Sequence, residues 1–159
     1  MRAIAIDLDG VLGDTRPLWD DWLEDAARRY RSIAPLDPTE LPRDRGEAAV
    51  LLDEWAHDGI GDWRSALGRF AEDRAPVYLR PDAEMSAALR ELAARGHTLG
   101  AFTDAPEALA RIAVSQLGAD RRLAEVATGS GALDRLLEKL GADALVVRKR
   151  SELPLQFGT

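Results

Sequence analysis

Residues 2 to 8, Arg-Ala-Ile-Ala-Ile-Asp-Leu, form a short apolar run with β-branched Ile4 and Ile6, and the run stops at Asp9-Gly10. That pattern predicts a buried strand entering a turn. Residues 97–102 and 144–147 are similar runs, and 123–127 is a weaker one. Between them lie stripes at helical spacing: Met85, Ala88, Leu89 and Leu92, then Leu109, Ile112 and Ala113, then Leu133, Leu136, Leu137 and Leu140. Gly96 and Gly118 end the first two stripes. A chain that alternates strand and helix in this way predicts an α/β core, a parallel sheet with crossover helices.

Residues 15–75 interrupt the alternation. Leu18, Trp22, Leu23 and Ala26 are spaced for a helix over 17–31, Pro35, Pro38 and Pro42 then break the chain, and helical spacing resumes at 47–57 and 63–71. All four tryptophans, Trp19, Trp22, Trp55 and Trp63, fall in this stretch. It is therefore expected to be a small helical insertion with its own apolar core, leaving 1–14 and 76–159 as the α/β core. The absence of cysteine excludes disulfides, thiolate metal sites and cysteine nucleophiles. No apolar run approaches the roughly 20 residues of a membrane span, and the N-terminal segment lacks the charge and length of a signal peptide, so a membrane partner is not expected and the expected location is cytoplasmic. A net charge of −7 repels polyanions and weighs against a nucleic-acid partner.

In open parallel sheets ligands bind beyond the carboxyl ends of the strands. The first strand delivers Asp7, Asp9 and Gly10 to that edge, the second delivers Thr103 and Asp104, and the last delivers Arg148, Lys149 and Arg150. All three sets are expected to meet. Asp-Gly is also ordinary turn chemistry, so the acidic pair alone does not make a site. A calcium loop is excluded because Gly10 comes too early and the later liganding positions are not acidic.

The segment Asp7-Leu8-Asp9-Gly10-Val11-Leu12-Gly13-Asp14-Thr15 resembles the first motif of the haloacid dehalogenase superfamily of phosphohydrolases. The resemblance implies a Rossmann-like core with a helical cap inserted at 15–75 that covers the site and selects substrates. It also implies that Asp7 attacks phosphorus to form an aspartyl phosphate, and that Asp9 protonates the leaving group and later activates water. Thr103, in Thr98-Leu99-Gly100-Ala101-Phe102-Thr103-Asp104, resembles the family's second motif, which holds a phosphate oxygen. Gly10, Asp104 and Lys149 join it as expected phosphate-side residues. Magnesium is the cofactor the family implies, held by Asp7 and by Asp9 through its main-chain carbonyl, with Asp104 as a further ligand.

The family's later motifs are altered. Where its third motif carries a cation, this chain has Thr128-Gly129-Ser130-Gly131; where its fourth carries acids, this chain has Arg148-Lys149-Arg150-Ser151-Glu152. Two carboxylates about 4 Å apart repel by roughly 4 kcal/mol at an effective dielectric of about 20, and a phosphate adds to that burden, so a cation is required. With the acidic motif replaced, magnesium is expected to bind weakly or not at all, and Lys149, or a neighbouring arginine, to occupy part of the metal position. Lys149 is expected to be the inward residue of the three. Asp14 is read as orienting its loop, Arg16 and Trp19 as lining the entrance, and His57 and His97 as structural or exposed. The resulting expectation is a phosphatase of a small phosphorylated metabolite with an impaired magnesium site. The alternative is a catalytically inactive relative that binds a phosphorylated ligand or a protein. A metal-free dehalogenase is disfavoured, because those relatives lack the second aspartate.

Overall fold

The computed structural model describes residues 2–33 and 36–155; Pro35, one of the expected chain breaks, lies outside them. Four parallel strands, β1 (Ala3–Asp7), β2 (Thr98–Thr103), β3 (Glu125–Thr128) and β4 (Leu145–Val147), form one sheet in the order β3-β2-β1-β4. The helices are α1 (Arg16–Arg29), α2 (Arg45–Trp55), α3 (Trp63–Tyr78), α4 (Ala83–Ala94), α5 (Glu107–Gln116) and α6 (Ala132–Leu140). The chain is thus an α/β protein with a Rossmann-like parallel sheet. No described helix is long and apolar enough to cross a membrane.

Strand alternation divides the core between the two faces of the sheet. Ile4 and Ile6 of β1 pair in register with Leu99 and Ala101 of β2, and together they pack against Leu89 and Leu92 of α4 and Ala113 and Val114 of α5. Ala5 and Phe102 face the other way, onto Ala132 and Leu136 of α6. Gly100 makes that second face possible: a Cβ there would lie 2.8 Å from a Leu136 methyl and 2.9 Å from one of Leu140. Because α4 and α5 cover one face and α6 the other, the connections diverge on either side of β1. The crevice at the carboxyl ends of β1 and β4 is the resulting switch point, where such sheets bind ligands.

The helical block between β1 and α4 has its own core, built on Trp22 and Trp63, each 1% exposed, with Leu18, Leu52 and Leu67. The indoles of Trp19, Trp22 and Trp63 lie in series, with centroids 5.5 and 5.9 Å apart and planes tilted by 37° and 39°. Tilted aromatic pairs of this kind add about 0.5–1.5 kcal/mol each beyond area burial. Ala105 and Leu109 from the α5 end of the core complete this cluster, so the block is fastened to the sheet domain through α5. Helix α3 extends seven residues past the expected end at Ala71, crossing the expected 75/76 boundary. Its buried stripe, Leu67, Ala71 and Ala75, continues at every fourth position to Leu79, but two of these residues are alanines, whose weak apolar signal is lost among Glu72, Asp73 and Arg74.

Candidate active site

After Asp7 the backbone leaves the sheet in a tight turn, closed by Gly10 N–H donating to Gly13 O at 2.8 Å. Gly10 has φ +113°, and an added Cβ would lie 3.3 Å from the Arg148 carbonyl oxygen, so glycine serves both the turn and the close passage of the loop after β4. The turn separates the two aspartates. Asp7 stays at the strand end, half-buried, with Oδ2 3.8 Å from Arg148 Nη1. Burial pushes its carboxyl up to about 6, the neighbouring Asp9 charge adds to the rise, and Arg148 opposes it.

Asp9 points toward β2 and is enclosed by donors. Its Oδ1 accepts from Thr15 N at 2.8 Å and Thr15 Oγ1 at 2.7 Å; its Oδ2 accepts from Thr103 Oγ1 at 2.7 Å and Arg45 Nη2 at 2.6 Å. Arg45 is the centre of this cluster. It is 2% exposed, and its guanidinium also donates from Nε to Asp104 Oδ1 at 2.9 Å and from Nη1 to Thr15 Oγ1 at 2.7 Å. Its backbone N–H donates to Asp104 Oδ2 at 3.1 Å, so the positive end of α2 faces the Asp104 carboxylate. A buried guanidinium is tolerable only when its donors are matched by acceptors, as they are here.

Sequence reasoning missed Arg45. Its signal was there in Asp44-Arg45-Gly46-Glu47: Asp44 caps α2 through Glu47 N at 2.9 Å, which places an arginine at the first helical position, where the helix dipole disfavours a cation. An arginine there needs a strong external partner, and Asp104 and Asp9 supply it. Gly46 permits the approach, since a Cβ would fall 2.2 Å from Ser130 N; Ser130 Oγ in turn donates to Asp44 Oδ1 at 2.8 Å.

The ends of β1 and β2, with Arg148 alone of the basic residues after β4, converge around a cavity of about 700 Å³ between the sheet edge and the helical block. Asp7, Asp9, Thr103, Asp104, Arg148 and Arg45 line its floor, and Arg16, Trp19, Leu23, Leu41 and Arg43 contribute from the helical side. Asp14 holds Arg16 in a pair at 2.8 Å. His97 is half-buried, with Nδ1 3.1 Å from Arg2 O, and His57 is exposed in the bend after α2.

The expectation for Lys149 is corrected. Arg148, not Lys149, faces Asp7 and lines the cavity, and Lys149 is exposed outside it. β4 ends at Val147, where Glu152 folds back and its Oε1 accepts from Arg148 N at 3.0 Å and Lys149 N at 2.8 Å. That turn ends the strand alternation that would carry residue 149 inward, and it commits Glu152 to the backbone. Arg150 is bound elsewhere, through Nε to Val11 O at 3.0 Å and Nη1 to Asp82 Oδ2 at 2.5 Å. Arg135 of α6 donates to the Thr128 and Ser130 carbonyls, which holds its guanidinium on the loop after β3 and off the cavity lining.

These motifs sit within a wider similarity. A family model described as haloacid dehalogenase-like hydrolase matches residues 1–147. The chain belongs to that family. A phosphoglycolate phosphatase of Rhodospirillum rubrum is 32% identical over 168 aligned positions, which cover 98% of this chain and 64% of that protein. This haloacid dehalogenase-like hydrolase therefore spans a little under two thirds of that relative's length. The crystal structure of a putative β-phosphoglucomutase from Thermotoga maritima superposes with a TM-score of 0.54 at 20% identity, covering 88% of this chain and 71% of that one, a likeness of fold.

Phosphatases of this family generally use magnesium. The donor set of this member does not suit it. Octahedral coordination needs converging oxygens with free lone pairs, whereas both Asp9 oxygens and both Asp104 oxygens are engaged by donors. Of the expected ligands Asp7, the Asp9 main-chain carbonyl and Asp104, the Asp104 carboxylate is held by Arg45 and the Asp7 carboxylate has Arg148 beside it. Among the described residues no cluster of three or more acidic or imidazole side chains is placed to hold a metal ion.

Proposed function

We propose that this chain is a phosphohydrolase acting on a small phosphorylated metabolite. The observation that carries this reading is the convergence of Asp7, Asp9 and Thr103 on one cavity roofed by the helical block. Residues 15–75 act as a cap, with Trp19, Leu23 and Leu41 shaping the space for the organic part of the substrate. The Asp7 carboxylate attacks phosphorus and the bond from phosphorus to the ester oxygen breaks, while Asp9, having left Arg45 and taken a proton from solvent, passes that proton to the departing oxygen. Asp9, now a carboxylate, takes a proton from water as that water attacks the aspartyl phosphate, releasing phosphate and restoring Asp7. Thr103 Oγ1 donates to a phosphoryl oxygen after leaving Asp9. The similarity to a phosphoglycolate phosphatase supports a small phosphorylated acid as the first substrate to examine.

One observation favours a second reading, a catalytically inactive protein that retains phosphate-ligand binding. Four donors already occupy Asp9, and proton transfer requires its carboxyl to leave them. Hydrolysis of an aryl phosphate and of phosphoglycolate, by the wild type and Asp7→Asn, separates the two. Turnover abolished by Asp7→Asn supports the phosphohydrolase; absence of turnover across a broad phosphate panel, with and without magnesium, overturns it.

A further inference from the structure

We infer that two arginines take over the work of the divalent cation, so that the cavity binds a phosphate oxyanion without metal. The inference rests on reading the cavity as a phosphoryl site and goes beyond it in naming what neutralises the charge. Of the five carboxylates that line the cavity, Asp7, Asp9 and Asp104 lie at the ends of β1 and β2, with Asp20 and Asp44 on the helical side. Arg45 neutralises the inner two through contacts of 2.6 Å to Asp9 and 2.8 Å to Asp104, and with its side chain 3% exposed it is held between them.

Arg148 does the outer work. Its backbone is fixed by Glu152 and by its carbonyl against Gly10, and its guanidinium lies 5.4 Å over the Phe102 ring and 3.8 Å from Asp7. Its side chain is 58% exposed, and among the described residues it makes no side-chain hydrogen bond, which leaves its planar fork of donors open to a tetrahedral oxyanion approaching Asp7. The fourth-motif position thus presents a cation directly where the family presents acids to hold one. A guanidinium at that point also repels a divalent ion.

The test is calorimetric titration of the full chain, stripped with a chelator, using inorganic phosphate alone, magnesium alone, and phosphate with magnesium present. Phosphate is expected to bind without metal, magnesium alone to give no saturable binding, and added magnesium not to tighten phosphate. Arg148→Ala is expected to weaken phosphate by about tenfold or more, and Arg148→Lys to retain part of the binding, since a charge-assisted hydrogen bond contributes on that order. Arg148 is largely exposed, so the fold of both variants is expected to be retained, and circular dichroism checks it. Stoichiometric magnesium binding by the wild type, phosphate binding that needs magnesium, no phosphate binding, or binding indifferent to Arg148→Ala each overturns the inference. Hydrolysis that depends on both Asp7 and magnesium overturns it while leaving the phosphohydrolase reading intact. Metal-free, Arg148-dependent phosphate binding without hydrolysis does the reverse.

Discussion

Arg45 Nη2 lies 2.6 Å from Asp9 Oδ2, joining the first turn of α2 to the loop after β1 across 36 residues of sequence. The contact is internal, with the two side chains 3% and 9% exposed, and it carries α2 onto the floor of the cavity. The helical block is therefore held to the core by a charge cluster at the site as well as by apolar packing on α5.

Removing that guanidinium strands buried charge. Arg45→Met is expected to destabilise the protein by about 3 kcal/mol or more, the usual cost of breaking a buried pair from one side. Arg45→Lys recovers only part of it, because an ammonium cannot span Asp9, Thr15 and Asp104 together. Urea unfolding measures both, and in the cycle with Asp9→Asn the double variant should lose less than the sum of the singles. Strict additivity would show that the contact carries no coupling.

Asp7 makes stability pH-dependent in a direction opposite to most surface acids. Its carboxyl is raised from 3.8 to about 6, so the native state holds the proton more tightly than the unfolded chain. Stability associated with the protonated group is full below about pH 4 and is lost as pH rises through about 6. Asp7→Asn is therefore expected to be more stable than the wild type by roughly 1–3 kcal/mol near pH 8, with the gain vanishing near pH 4. Denaturation midpoints across that range check it, and a constant difference at all pH values contradicts it.

Two glycines make opposite predictions. Gly46→Ala drives a methyl to 2.2 Å from the Ser130 backbone nitrogen, and is expected to lose about 1–3 kcal/mol as α2 is pushed from the loop after β3. Gly68→Ala, inside α3, meets nothing nearer than Ala108 Cβ at 4.0 Å, and is expected to gain about 0.5–1 kcal/mol from reduced unfolded-state freedom. Thermal midpoints moving the same way for both would refute the assigned packing.

Asp82 serves two elements at once. Its Oδ1 caps α4 by accepting from Glu84 N at 2.9 Å and Met85 N at 3.3 Å, and its Oδ2 receives Arg150. The Arg150 hydrogen bond holds its carboxyl below the ordinary range, so the benefit is present at neutral pH and is lost as pH falls into the acid range. Asp82→Ala is expected to cost about 1–2 kcal/mol at neutral pH, and Asp82→Asn, which keeps the cap oxygen, less. Equal losses would mean that capping contributes nothing beyond the ion pair.

The amino-acid sequence alone determined the α/β alternation, because periods of two and of about 3.6 are local properties of neighbouring side chains. It also determined the edge at which Asp7, Asp9, Thr103 and the basic loop after β4 meet, because parallel strands present their carboxyl ends on one side. The partners of those residues were decided only in three dimensions. Which basic residue faces Asp7 depends on Glu152 turning the chain just after Val147, and that fold-back puts Arg148 inward and Lys149 outward. Arg45 becomes the centre of the site only when α2 docks through the gap left by Gly46; the local pattern marks an arginine at a helix start in need of an acidic partner, but not which acids, distant in sequence, supply it. Burial then sets the chemistry: the same carboxyl that would titrate as an ordinary acid in an open chain is shifted at Asp7 by the surfaces that close around it.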